Sequence, residues 1–121
     1  MPNPFTHIEL ATTDVDKAKA FYGKLFSWKL EDVPMGGGFT YTMINVGTGT
    51  GGGMMKQMMP GGASAWMPYI AVDDIHASTA KAQSLGAKLC KEVTEVMDHG
   101  WLSIFTDPTG AAFGLWQEKK K

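Results

Sequence analysis

The residues best placed to do chemistry are His7 and Glu9. They stand two apart in Thr6-His7-Ile8-Glu9-Leu10-Ala11, a stretch that alternates polar and apolar. In a strand that spacing sends both side chains to one face and Ile8 and Leu10 to the other. An imidazole beside a carboxylate can move a proton, or hold a divalent ion weakly with water. The plainer reading is that the two bond each other or solvent. His76, near a helix start, and His99, in a turn, are too scattered to join them and read as surface residues. Cys90 is the only thiol, so no intramolecular disulfide is possible. Its lysine neighbours could lower its pKa, yet no histidine lies near in sequence, and packing is the expected role. Gly36-Gly37-Gly38 and Gly51-Gly52-Gly53 lack the Lys-Ser/Thr that follows a phosphate loop, and read as flexible hairpin turns.

These residues must be held by a frame, and the frame repeats. Asp14-Val15 returns as Asp74-Ile75, and at the same offset Leu10 meets Ile70, Ala20 meets Ala80 and Leu25 meets Leu85. Two copies fill the 121 residues. That is too few for a solenoid and suits one pseudo-symmetric domain: module one over 1–59, a linker over 60–64 and module two over 65–121.

Each copy opens with a strand, 6–11 and 68–72. A helix follows. Thr13 and Asp16 are spaced as a capping box, and Val15, Ala18, Tyr22 and Leu25 form the buried stripe. In the second copy Asp73 or Asp74 can cap, Ile75, Thr79, Ala82 and Leu85 form the stripe, and Gly86 ends the helix. Three extended runs complete each copy: 28–33, 39–46 and 54–58, then 87–93, 101–106 and 112–116. Glycine-rich stretches, Asp98-His99-Gly100 and Asp107-Pro108-Thr109-Gly110 separate them. The order βαβββ-βαβββ is an α+β layout.

Three motifs now carry a resemblance. They are Thr13-Asp14-Val15-Asp16-Lys17-Ala18-Lys19-Ala20-Phe21-Tyr22, Ala71-Val72-Asp73-Asp74-Ile75, and Asp107-Pro108-Thr109-Gly110 leading to Phe113-Gly114-Leu115-Trp116. In this order they resemble the vicinal oxygen chelate superfamily, the glyoxalase/bleomycin resistance/dioxygenase proteins. The resemblance implies a curved eight-stranded mixed sheet cupping a site. It implies four metal-ligand positions, on the first and last strand of each module. They map to His7, to Gly53 or Met54, to Met67 and to Gly114. Only His7 is a competent ligand, since a thioether suits hard ions poorly and glycine offers no side chain.

The expected function is therefore binding of a small organic molecule in the cup, with no cofactor and at most a weak or adventitious divalent ion at His7 and Glu9. Tyr41, Met54, Trp66, Tyr69 and Trp101 are the candidate pocket lining, an apolar wall around few polar groups. The alternative is a divergent metal-dependent lyase, isomerase or dioxygenase with His7 and Glu9 as its catalytic pair. A third possibility is an interaction module that uses the Met-rich edge from Met54 to Met59. Dimerisation is an expectation from the family.

The rest is exclusion. Net charge is −1, which builds no field for nucleic acid. Lys119-Lys120-Lys121 reads as a solvated, frayed tail. No apolar run reaches the length of a membrane span. The start, Met1-Pro2-Asn3-Pro4, shows no signal pattern, and the lone cysteine suits a reducing compartment, so a cytoplasmic protein is expected.

Overall fold

The computed structural model describes residues 2–35, 40–58 and 61–119. Its elements follow the expected order: β1 (Phe5–Thr12), α1 (Val15–Leu25), β2 (Lys29–Pro34), β3 (Thr40–Asn45), β4 (Gly52–Lys56), β5 (Ala65–Ala71), α2 (Ile75–Ser84), β6 (Lys88–Val96), β7 (Gly100–Thr106) and β8 (Ala112–Glu118). The α+β class and the two βαβββ copies stand. The chain divides into two compact units, His7–Met67 and the described part of Met1–Thr6 with Pro68–Lys121.

In the first unit the strand order is β2-β3-β4-β1. β1 and β4 run parallel, with Glu9 opposite Gly53 and Leu10 opposite Met54. The other pairs are antiparallel. Because side chains alternate, Leu10, Ile44 and Met54 share one face and are buried there. Val15, Ala18 and Tyr22 of α1 pack onto them, with Trp28 and Leu30. Burying these apolar groups is what holds the helix to its sheet.

The second unit has the order β5-β8-β7-β6. β5 and β8 are parallel, with Tyr69 opposite Gly114. Its core is Ile75, Phe105 and Leu115, flanked by Ile70, Ala82 and Trp101. Within it Thr79 Oγ1 and Ser103 Oγ share a buried hydrogen bond of 3.0 Å. Gln117 Oε1 accepts from the Ile75 amide at 2.8 Å, so β8 satisfies a free donor in the first turn of α2.

Three local expectations change. The caps are Asp14 and Asp74, whose carboxylates accept from the Lys17 and Ala77 amides at 2.9 and 3.1 Å. Thr13 turns aside, its amide donating to Ser64 Oγ. Leu25 and Leu85, the last members of the two stripes, are exposed, because each sits where its helix stops. Lys119 is no frayed tail: its ammonium bonds the Glu95 carboxylate and the Met97 carbonyl and lies 5.2 Å over the Trp101 ring. Lys120 and Lys121 lie outside the described residues. No helix among the described residues is long and apolar enough to cross a membrane.

Candidate functional site

β1 sends His7 and Glu9 to the face opposite Leu10, as the alternation requires. What joins them is Tyr41, from β3. Its hydroxyl lies 2.7 Å from His7 Nε2 and donates to Glu9 Oε1 at 3.0 Å. The phenol has one proton. When that proton goes to the Glu9 carboxylate, His7 must donate to the phenol oxygen through an Nε2–H. The order His7, Tyr41, Glu9 is then a continuous line of hydrogen bonds. The two rings are near parallel, 25° apart, with centroids at 6.2 Å. All three residues are partly buried. Burial holds the His7 imidazole below its ordinary pKa of 6.5, because the charged form loses water there.

The ring of Tyr41 fits because residue 53 is glycine. A Cβ on Gly53 would stand 2.1 Å from that ring. The glycines before it have the same kind of reason. A Cβ on Gly52 would meet the Ile8 carbonyl oxygen at 1.9 Å. Gly52 and Gly53 are therefore buried strand residues of β4, where a flexible turn had been expected. The expected turn at Gly36-Gly37-Gly38 lies outside the described residues.

The second unit repeats the seat with other parts. Tyr69 is buried, and its ring lies where a Cβ on Gly114 would be, 2.5 Å away. Here the tyrosine comes from the first strand of its module. In the first unit it comes from the middle of the sheet.

The remaining candidates go elsewhere. Met54 is wholly buried in the first core, below α1. Trp66 joins an aromatic cluster of the first unit, with centroids 5.5 Å from Tyr22 and 6.5 Å from Trp28. It is 41% exposed and lines a hollow of about 250 Å³ with Ile8, Trp28, Ile44 and Val46. A second hollow, of about 380 Å³, opens among Glu31, Met43, Asn45 and Gly47. Neither hollow is lined by His7 or Glu9. Trp101 packs on the second core and under Lys119. The structure thus brings together His7, Glu9 and Tyr41, while Met54 lies in the first core, Trp101 lies on the second, and Trp66 lines the smaller hollow. On the Met-rich edge, Met54 is buried and Met58 is exposed; Met59 lies outside the described residues. His76, Cys90 and His99 are exposed.

Reading the sequence missed the part played by Tyr41. Alternation along β3 could have found it, since Tyr41 must face away from buried Thr42 and Ile44, as His7 and Glu9 face away from Leu10. It also took Gly53 and Gly114 as lost ligands, without seeing them as ring seats.

The positions that the family resemblance marks for a metal hold the His7 imidazole, the Met67 thioether, Gly114 and either Gly53 or the Met54 thioether, and both glycines lie beneath a tyrosine ring. Among the described residues no three His, Cys, Asp or Glu side chains gather as a metal group would require. This donor set does not fit a catalytic divalent site, which needs about three protein ligands.

Comparison with known proteins agrees with the layout. Residues 5–115 match the profile of the Glyoxalase/Bleomycin resistance protein/Dioxygenase superfamily. CFP32 of Mycobacterium tuberculosis, provisionally named a glyoxylase, is 39% identical over 93% of this chain and 45% of its own length. The anthracycline biosynthesis protein DnrV of Streptomyces peucetius is 29% identical over 91% of the chain and 45% of its length. The chain thus spans under half the length of these curated relatives. Among solved structures, the hypothetical protein BH1468 of Bacillus halodurans superposes with a TM-score of 0.73 at 17% identity, covering 100% of this chain and 98% of that one. Methylmalonyl-CoA epimerase of Mycobacterium tuberculosis gives 0.70 at 16% identity, covering 96% and 88%. At such identities the likeness is one of fold.

Proposed function

The chain belongs to the glyoxalase/bleomycin resistance/dioxygenase superfamily, and within it we propose that it binds a small organic molecule at the sheet face carrying His7, Tyr41 and Glu9, without a divalent ion. The observation that supports this most is the Tyr41 hydroxyl bridging imidazole and carboxylate. A preorganised run of donor and acceptor on a partly buried face recognises a polar group on a ligand at little cost in ordering. The donor set at residues 7, 53, 67 and 114 supports the metal-free part of the reading.

Calorimetry in the presence of EDTA tests it. The relatives suggest the probes: an anthracycline, methylmalonyl-CoA, and the hemithioacetal of methylglyoxal and glutathione. The expected result is binding of at least one probe with EDTA present, weakened by His7→Ala. No binding of any probe, with or without nickel, zinc, iron or manganese, contradicts it.

A second reading has one observation of its own. The line His7, Tyr41, Glu9 could pass a proton, which is what an isomerase or lyase of this superfamily would need. Turnover of the thioester or the hemithioacetal, abolished by Glu9→Gln, would establish it. The assembled state on either reading is a cytoplasmic homodimer. Sedimentation giving a monomer at high concentration counts against the dimer.

A further inference from the structure

We infer that Tyr41 is the residue that keeps divalent ions off this strand face, and that it fixes the proton of His7 on Nε2 in doing so. The inference rests on the metal-independent reading above and gives it a cause. His7 and Glu9 leave one face of β1 two residues apart, a spacing that by itself can grip an ion between nitrogen and oxygen. Tyr41 opposes this in two ways. Its hydroxyl takes His7 Nε2 at 2.7 Å and Glu9 Oε1 at 3.0 Å, one nitrogen and one oxygen that an ion between the two side chains could use. A protonated imidazole nitrogen cannot ligate, so an ion held through Nε2 and Oε1 must break both bonds to enter. Its ring also fills the space above Gly53, where a Cβ would stand 2.1 Å away. That removes the room for a further donor from β4, directly opposite Glu9. Tyr41 is thus a positioning and selecting residue: it acts on ligands through the state it imposes on its two neighbours. The Tyr69 ring above Gly114 fills the corresponding position of β8.

The two parts of Tyr41 separate by mutation. Tyr41→Phe removes the hydroxyl and keeps the ring over Gly53. Tyr41→Ala removes both. Equilibrium dialysis of the full chain against nickel chloride, with the bound ion counted by mass spectrometry, reads the consequence. Nickel affinity should rise in Tyr41→Phe and rise further in Tyr41→Ala, by about tenfold or more over the wild type. Adding His7→Ala to either variant should abolish the gain. Nitrogen-15 spectra of the imidazole supply a readout that packing alone would not move. The wild type should carry its neutral His7 proton on Nε2, and Tyr41→Phe should show a mixture of tautomers. Should Tyr41→Ala fail to fold, Tyr41→Phe still decides the question.

Equal, weak nickel affinity in the wild type and both variants, with an unchanged tautomer, overturns the assignment to Tyr41 and leaves the metal-independent reading standing. Tight nickel binding by the wild type through His7 overturns both.

Discussion

The two modules seat a tyrosine ring on a glycine in equivalent places and do different things with it. In the first, Gly53 faces Glu9 across a parallel pair; in the second, Gly114 faces Tyr69 across the same kind of pair. The first module keeps the strand's own position polar and brings the ring in from β3. The second puts the ring on the strand itself, with Tyr69 opposite Gly114. A duplicated frame thus seats the same ring on the same glycine position from two different strands. The helix sides differ in the same spirit. α1 adds to its apolar packing a Lys19–Asp32 ion pair, at 2.8 Å, that also involves Thr42. α2 is tied by the buried Thr79–Ser103 hydroxyl pair.

The comparison breaks most visibly in the cores. Phe105→Ala in the second module should cost about 3–5 kcal/mol, and Met54→Ala in the first about 2–5 kcal/mol, since both side chains are fully buried. Urea unfolding measures each. A Met54→Ala variant as stable as the wild type would show that the first core does not carry its module.

The glycine seats come next. Gly53→Ala and Gly114→Ala each force a tyrosine ring to move, at about 1–3 kcal/mol. Gly53→Ala should also alter the imidazole spectrum of His7, because Tyr41 must leave its bonds. A Gly53→Ala protein with native stability and an unchanged His7 signal would remove the ring seat from the account.

The smallest effect is a pH dependence that comes from His7 in the first module. Burial lowers the folded pKa of His7 below 6.5. Between the lowered value and 6.5 the unfolded chain binds a proton that the folded chain refuses. Stability therefore falls as pH drops through that window and is level above it. The slope from this one group is at most about 1.4 kcal/mol per pH unit. Thermal unfolding from pH 7.5 downward should show the slope reduced in His7→Gln. An identical slope in the two proteins would mean that His7 is not desolvated.

Much of this was legible in the sequence because it depends on local rules. Strand alternation placed His7 with Glu9, and the repeat of Asp14-Val15 as Asp74-Ile75 announced two modules. The capping-box spacing pointed to Thr13, but Asp14, one residue on, accepts from the Lys17 amide and caps the helix. Tyr41 was a different case. Its partners lie 34 and 32 residues away, and only strand register brings them together. The glycines were misread because sequence shows a missing side chain without showing what occupies its room. The surroundings of Trp66 and Trp101 were hidden for a related reason. Aromatic content reports surface to be buried, and which neighbour buries it is decided by packing.

On the proposed metal-independent reading, hydrogen bonds at this site stand in place of an ion. Elemental analysis of the full chain, purified without chelator and without added metal, tests it most directly. The account predicts far less than one transition-metal ion per chain, unchanged by His7→Ala. One firmly held ion per chain, lost when His7 becomes alanine, would contradict it.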